Sequence, residues 1–143
     1  MEQRVSLITL GVRDMDVAAA FYEALGWKRV ESPDGVIAFD LIGQTLGLYP
    51  RAALLADIGL EETAATGFSG ITLGHNVPDK SDVNQLTERA RAAGAKILRA
   101  PHEVFWGGYI AYLADPDGHI WEFAHNPFSP LGPKGEFQWN GAA

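Results

Sequence analysis

The chain contains no cysteine, no long apolar run and no cluster of basic residues. Without cysteine it can form no disulfide, thiolate metal site or thiol nucleophile. No apolar run approaches the roughly 20 residues that a membrane-spanning helix needs, and "MEQRVSLITLGV" lacks the cleavage site of a secretory signal. The 11 Lys and Arg residues are scattered in a chain of formal net charge −7, which argues against nucleic-acid binding. We therefore expect a cytoplasmic protein that contacts neither a membrane nor nucleic acid.

What the chain does contain is a short repeat. Ile-Thr-Leu-Gly occurs at residues 8–11 and again at residues 71–74. A helical pattern follows each copy, "DMDVAAAFYEALG" and "SDVNQLTERARAAG", with Asp14 or Asp16 as the expected N-cap of the first and Ser81 of the second. Both patterns end at a glycine, the residue that favours a helix C-terminus. The repeat therefore predicts a duplicated module.

Strand patterns follow both helices in the same order. They are "GWKRV", "VIAFDL" and "TLGLYP" in the first half, and "GAKIL", "YIAYLAD" and "HIWEFAH" in the second. The last two are joined by Asp-Pro-Asp-Gly at residues 115–118, which is strong turn chemistry. Each half is thus predicted to be βαβββ. The expected divisions are a first module at 1–50, a connector with a short helix at 51–68, a second module at 69–127 and an irregular tail at 128–143.

These motifs resemble a known superfamily. The paired modules, "FYEALG" at Phe21–Gly26 and "DPDGHIWE" at Asp115–Glu122, are similar to the vicinal-oxygen-chelate proteins over about residues 5–127. That superfamily includes glyoxalase, bleomycin-resistance and extradiol-dioxygenase proteins. The resemblance implies an α+β fold of two curled mixed sheets around a cup-shaped pocket, with helices on the outer faces, in a homodimer. It does not imply one activity, because the fold hosts lyases, isomerases, dioxygenases and non-catalytic drug binders.

Strand alternation indicates which side chains face the cup. In the first strand the bulky residues Ile8, Leu10 and Val12 share one face, which suits a core against the helix. By the same phase, Ile71 and Leu73 are expected to face the second helix. In the last strand, burial of Trp121 and Phe123 against that helix sends Glu122 to the cup. The small residues beside these core positions then line the pocket; they are Thr9, Gly11, Gly70, Thr72 and Gly74.

The resemblance also bears on metal binding. Metal-dependent relatives place His, Gln or Glu ligands at four cup positions, which carry over to Leu7, Gly47, Gly70 and Glu122. Only Glu122 is a possible ligand, whereas a catalytic divalent ion generally needs about three. We therefore expect no metal and no other cofactor. The alternative is a divalent ion held by Glu122 and His75, which requires a bulge in the second module's first strand.

The remaining histidines are interpreted as structural. His102 follows Pro101 in an expected loop, His119 follows the hairpin turn, and His125 ends the last strand. A further candidate region is "VFWGGYIAYLAD", where two glycines permit close backbone approach beside aromatic residues. Phe105 and Trp106 are expected at the rim of the pocket, stacking on a planar ligand.

Together these patterns predict a protein that binds a small apolar or aromatic molecule without the usual catalytic metal. One alternative is a metal-dependent lyase or dioxygenase with a non-standard site. The other is a metal-free lyase or isomerase in which Glu122 is the catalytic base, with a Tyr or His partner. The sequence leaves open whether any reaction is catalysed. The expected ligand-binding residues are Leu7, Thr9, Gly47, Tyr49, Gly70, Thr72, Phe105, Trp106, Tyr109 and Glu122.

Overall fold

Each half of the chain folds around its own β-sheet. A computed structural model describes residues 1–62 and 67–141. It divides the chain into two units, Met1–Ser69 and Gly70–Ala143. Residues 63–66 of the expected connector and residues 142–143 of the expected tail lie outside the described part. No helix in the described part is long and apolar enough to cross a membrane.

The first unit contains three strands and two helices. Its sheet has the order β1-β3-β2, with β1 parallel and β2 antiparallel to β3. In chain order the elements are β1 (Leu7–Val12), α1 (Met15–Ala24), β2 (Ile37–Asp40), β3 (Thr45–Pro50) and α2 (Arg51–Ile58).

The core of the first unit lies between α1 and one face of this sheet. Asp14 starts α1, since its carboxylate accepts the backbone N–H groups of Asp16 and Val17 at 3.0 Å. Gly26 follows the helix with a φ of 103°, which only glycine adopts readily. The alternation predicted for β1 is confirmed, because Leu10 and Val12 are buried while Leu7, on the other face, is exposed. The buried side chains of this unit are Leu10, Val12, Ala18, Ala19, Phe21, Tyr22, Phe39, Leu46 and Leu48.

One strand predicted in the first unit is almost absent. The segment 26–30 forms only a single bridge, between Val30 and Ala38. Arg29 of this segment instead donates to Glu23 of α1 at 2.6 Å. This exposed ion pair and the stacking of Trp27 on Tyr22 both connect the segment to α1.

The second unit contains four strands and one helix. Its sheet has the order β4-β7-β6-β5, with β4 parallel to β7 and the other neighbours antiparallel. The elements are β4 (Leu73–Asn76), α3 (Lys80–Ala92), β5 (Lys96–Glu103), β6 (Tyr109–Ala114) and β7 (Ile120–His125).

The N-cap predicted for α3 was wrong by two residues. Asp79, not Ser81, caps the helix, in a reciprocal capping box with Asp82. Both residues offer a hydrogen-bond acceptor, but only Asp79 has a carboxylate at the third position after it to complete the box. Gly94 follows the helix with a φ of 109°, as its position predicted.

The second copy of Ile-Thr-Leu-Gly is only partly a strand. Pairing with β7 starts at Leu73, opposite Trp121, so Ile71 and Thr72 precede the strand. Gly70 has a φ of 82°, which breaks the extended backbone before them. Ile71 is 63% exposed, so its predicted place in the helix-facing core was wrong. Alternation fails here because it applies only within a paired strand.

Residues 126–141 contain no helix or strand but are held by specific hydrogen bonds. The buried Ser129 hydroxyl donates to the carbonyl of Trp139, and the amide of Asn126 donates to Ser129 at 3.1 Å. The side-chain oxygen Oδ1 of Asn126 accepts the backbone N–H of Phe128 at 2.9 Å. Ser129 therefore connects the start of this segment, at Asn126, to its end, at Trp139.

Candidate functional site

The second sheet has two chemically different faces. Its helix-facing side is identified by Tyr109, whose hydroxyl donates to Asn84 of α3 at 2.8 Å. Trp121 and Phe123 are buried and share that side, in register with β4 and β6. Glu122 therefore lies on the opposite face, half-buried. The predicted orientation of these three side chains is confirmed.

Glu122 is held by a tyrosine from the neighbouring strand. Tyr112 stands opposite Glu122 in the β6–β7 register, and its hydroxyl donates to Glu122 Oε2 at 2.7 Å. This hydrogen bond, aided by burial and by the carboxylate charge, raises the pKa of Tyr112 above its usual 10.0. The phenol thus stays a proton donor, and the second carboxylate oxygen of Glu122 has no hydrogen-bond partner within the described residues.

The hairpin turn sets this pairing. Asp115 Oδ1 accepts the backbone N–H groups of Asp117 and His119, both at 2.9 Å. Gly118 takes a φ of 89°, which the turn requires. The first strand pair beyond the turn is Ala114 with Ile120, and two residues further along lies Tyr112 with Glu122. The Asp-Pro-Asp-Gly sequence therefore fixes which residue meets the carboxylate.

The neighbouring strand β5 places a cation beside Tyr112. Arg99 of β5 stands opposite Tyr112 and is exposed, with register irregularities on both sides of it. Within the described residues it forms no ion pair, and its charge acts on Tyr112 by lowering that phenol's pKa, against the larger effect of Glu122. Arg99, Tyr112 and Glu122 therefore follow one another across three adjacent strands. We call these three residues the polar row.

Apolar side chains flank the polar row on the same face. By register, Ile110 and Ala124 lie on one side of it, and both are buried. Ala114 and Ile120 lie on the other side, with Ala114 buried and Ile120 half-buried. Tyr112 and Glu122 thus sit in an apolar surrounding, which strengthens the hydrogen bond between them, while Arg99 is exposed.

His102 belongs to this face as well. It lies in β5 opposite Ile110, so its predicted position in a loop was wrong. Pro101 misled that prediction, but proline is tolerated here because β5 is the edge strand and its register is irregular. The carbonyl of Ala100 can only accept, so His102 Nδ1 carries the proton of their 2.8 Å hydrogen bond. Its buried Nε2 has no hydrogen-bond partner in the described structure.

His75 does not join Glu122. It stands opposite Phe123 in a regular β4 and contacts that ring edge-on, with centroids 6.1 Å apart. No bulge turns it to the other face, so the alternative ligand pair of Glu122 and His75 is not brought together. Surrounding protein atoms lower the pKa of His75 below its usual 6.5, because they disfavour the charged imidazolium.

The residues at the four family metal positions do not fit a metal ion. Glu122 alone supplies a ligand atom, and Tyr112 already occupies one of its oxygens. Among residues 1–62 and 67–141, no three His, Asp or Glu side chains are grouped closely enough to hold an ion. The donor set thus falls short of the three ligands that catalytic divalent ions generally need.

In the first unit the structure brings three of the predicted residues together. Thr9 pairs with Gly47, and a Cβ on Gly47 would lie 3.6 Å from the Leu7 side chain and 4.0 Å from the Thr9 hydroxyl. Leu7 is 55% exposed on this face. Tyr49 shares the face, but its hydroxyl donates to Asp57 of α2 at 2.9 Å, which raises the pKa of Tyr49.

The other predicted site residues of the second unit are dispersed. Gly70 and Thr72 precede β4, outside the paired sheet. Phe105 is fully exposed at the β5–β6 turn, while the Trp106 ring fills the space beside Gly108. Tyr109 faces α3 rather than Glu122, because it lies three residues from Tyr112 along β6 and so lies on the opposite face of the sheet.

Sequence reasoning missed Tyr112, Arg99 and the orphaned nitrogen of His102. The sequence does identify Tyr112, because residues at equal distances on either side of a hairpin turn stand opposite each other, and Tyr112 and Glu122 are such a pair. No comparable signal identifies Arg99 or His102, since the β5–β6 register shifts twice between residues 97 and 102.

Comparisons with known proteins agree with this architecture. A lactoylglutathione lyase of Arabidopsis thaliana is 31% identical over 125 residues, which are 83% of this chain and 43% of that protein. A putative lactoylglutathione lyase of Brassica oleracea is 30% identical, over 90% of this chain and 46% of that protein. The chain therefore spans less than half the length of these two relatives.

A solved structure is similar along almost the entire chain. A glyoxalase-related enzyme from Fulvimarina pelagi superposes with a TM-score of 0.88 and 38% sequence identity, covering 96% of this chain and 99% of that one. The sequence profile of the Glyoxalase/Bleomycin resistance protein/Dioxygenase superfamily matches residues 4–123. With this match and the two-sheet α+β architecture, the chain belongs to the Glyoxalase/Bleomycin resistance protein/Dioxygenase superfamily.

Proposed function

We propose that this protein binds a small, apolar or aromatic molecule at the Glu122 face, without the metal used by catalytic relatives. The observation that carries the proposal is the 2.7 Å hydrogen bond from Tyr112 to Glu122 on a half-buried, apolar-flanked face. It leaves one carboxylate oxygen to accept from a ligand. The poor donor set for a metal supports the same conclusion.

A second candidate is a metal-free lyase or isomerase that uses the same pair. Glu122 would take a proton from the bound substrate, and Tyr112 would donate one to the oxygen on which charge develops. The raised pKa of Tyr112 keeps its phenol protonated at neutral pH, so the proton is present on it. The name lactoylglutathione lyase of the two plant relatives supports the lyase class, although they are only about 30% identical.

Two measurements separate these functions from a metal-dependent one. Protein is purified without chelators or a metal-affinity tag, and its metal content is determined by mass spectrometry. We expect much less than one equivalent. Near one equivalent of Fe, Zn, Ni or Mn that disappears in Glu122→Ala would refute the metal-free proposal and favour a metal-dependent lyase or dioxygenase.

Small molecules that co-purify are then identified after denaturation and added back to fresh protein. Recovery of the unchanged compound supports binding alone, whereas conversion supports the lyase or isomerase. Affinity or turnover is expected to fall at least tenfold in Glu122→Gln. Glu88→Gln is the matched control, since Glu88 is exposed on α3 and forms an ion pair with Arg91 at 3.3 Å, away from the polar row.

The proposal includes a homodimer, as the resemblance implies, and a location in the cytoplasm. Light scattering coupled to size-exclusion chromatography gives the mass of the particle in solution. Twice the 15.5 kDa of one chain is the expected value. A particle with the mass of one chain at micromolar concentration would contradict this part of the proposal and leave small-molecule binding untouched.

A further inference from the structure

The charges of the polar row constrain the chemistry of the ligand. The row places a cation, a phenol and a carboxylate on β5, β6 and β7 in that order. Neighbouring strands are about 4.8 Å apart, so Arg99 and Glu122 are separated by about 10 Å at their backbones. Tyr112 stands between them and occupies one oxygen of Glu122. The two charges therefore remain separate features of the face.

Each end of the row has an unmet binding capacity. Arg99 has no ion-pair partner within the described residues, and its guanidinium matches the geometry of a carboxylate. Glu122 has one oxygen free of hydrogen bonds in the same part of the chain. Arg99 can therefore bind an acceptor, and Glu122 can accept from a donor.

We propose that the ligand is a small organic acid that also carries a hydroxyl or amine, with an apolar ring or chain between these groups. Its carboxylate binds Arg99 and its hydroxyl or amine donates to Glu122. The apolar middle lies against the flanking side chains Ile110 and Ala124, which are buried. This inference rests on the proposed function, because it concerns the ligand of that same site.

The orientation of the ligand follows from exposure and charge. Arg99 is exposed and Glu122 is half-buried, so the acid group remains at the open end of the row. The reverse orientation would place two carboxylates together on an apolar face, which is strongly unfavourable. The chain's net charge of −7 repels anions at long range, so Arg99 has to supply the selectivity locally.

His102 supports the location of the site on this face. Its Nε2 is buried and without a hydrogen-bond partner in the described structure, and it lies opposite Ile110, beside the polar row. Because Nδ1 carries the proton bound to Ala100, the neutral ring presents Nε2 as an acceptor. A second hydroxyl or amine of the ligand, donated from the apolar flank, would satisfy it.

Three matched probes test the ligand class by nuclear magnetic resonance titration. 3-Hydroxybenzoate carries both groups, 3-hydroxybenzamide has a neutral amide in place of the acid, and benzoate lacks the hydroxyl. We expect 3-hydroxybenzoate to bind at least tenfold more tightly than either of the others, with shift changes at Arg99, Tyr112 and Glu122. Arg99→Gln should abolish the preference for the acid over the amide. Arg91→Gln, which removes the same charge from α3, should retain it.

The possible outcomes distinguish this inference from the proposed function. If the amide binds as tightly as the acid and Glu122→Gln weakens both, the ligand class is wrong and small-molecule binding stands. Equal effects of Arg99→Gln and Arg91→Gln would also overturn the role of Arg99. Binding that Glu122→Gln does not change contradicts the site itself, and with it both proposals. Failure of all three probes to bind at millimolar concentration overturns the ligand class.

Discussion

Replacing Tyr112 with phenylalanine isolates the hydrogen bond on which the candidate site depends. Tyr112→Phe removes one hydroxyl and leaves the ring, so the packing of the ring is unchanged. The hydroxyl donates to Glu122 Oε2 at 2.7 Å in a half-buried position. Hydrogen bonds to charged groups contribute about 1.5–3 kcal/mol and neutral ones about 0.5–1.5 kcal/mol. Because the position is half-exposed, we expect the free energy of unfolding to fall by about 1–2 kcal/mol at pH 7.

Urea denaturation followed by tryptophan fluorescence measures this loss, since the chain has four tryptophans. The midpoint should move to lower urea while the slope of free energy against urea stays the same. Tyr109→Phe is the matched control, because its hydroxyl donates to the neutral amide oxygen of Asn84 at 2.8 Å. That variant should lose about 0.5–1 kcal/mol.

The stability attributed to this hydrogen bond also depends on pH. The pKa of Tyr112 is raised above 10.0, so the folded protein holds the phenol proton more tightly than the unfolded chain does. The contribution is therefore complete below pH 10 and declines as pH rises through the folded pKa. Tyr112→Phe lacks this decline, and its difference from wild type should shrink above pH 10.

A double-mutant cycle with Glu122→Gln decides whether the two side chains interact in solution. Removing the carboxylate charge first should reduce the cost of Tyr112→Phe, which gives a coupling energy of about 0.5–1.5 kcal/mol. Purely additive effects would show that the two side chains do not interact, and a Tyr112→Phe variant as stable as wild type would show that the hydrogen bond contributes nothing. In either case the pair would contribute no organised acceptor to the site.

Two further predictions concern the hairpin turn and the helix-facing histidine. Gly118→Ala should lower the free energy of unfolding by about 1 kcal/mol, because a left-handed φ costs alanine about 1–2 kcal/mol and the stiffer unfolded chain offsets part of that cost. Urea denaturation measures the loss, with Gly74→Ala as the control, since a Cβ at Gly74 meets open space and its φ is not left-handed. Two equally stable variants would contradict the prediction. His75 has a pKa lowered below 6.5 by desolvation, so its neutral form is stabilising above that pH and the stability is lost as pH falls below it. The free energy of unfolding, measured from pH 7.5 to 5, should fall more steeply for wild type than for His75→Gln, and parallel curves would count against the assignment.

The sequence predicted the parts of the fold that depend on local chemistry. The face of β1 followed from alternation and is confirmed by the burial of Leu10 and Val12. The same rule failed for Ile71, because Gly70 bends the backbone before pairing begins at Leu73. The repeated motif thus predicted two similar modules. The residue at which the second strand begins depends on where β7 pairs with it, and alternation within one segment carries no information about that pairing.

The candidate site was predictable only in part for a related reason. Glu122 emerged from the burial of its two aromatic neighbours, which is a property of one strand. Tyr112 required the β6–β7 register, which the hairpin turn determines and which can be counted from the sequence. Arg99 required the β5–β6 register, which contains two irregularities that no local pattern announces. A site residue was therefore harder to predict from the sequence when its position depended on the register of more than one strand pair.

The Tyr112 proton and the Arg99 charge both make the polar row a better binding site for a hydrogen-bonding anion than for a metal cation. A metal ion at Glu122 would compete with the Tyr112 proton for Oε2, and the raised pKa of Tyr112 means that this proton is held tightly. Arg99, on the same face, repels a cation and attracts an anion. A ligand hydroxyl at the free oxygen of Glu122 competes with neither group. The proposed ligand, an acid that brings its own donor, therefore suits the row, whereas a divalent ion bound through both oxygens of Glu122 would displace the Tyr112 hydrogen bond and be repelled by Arg99.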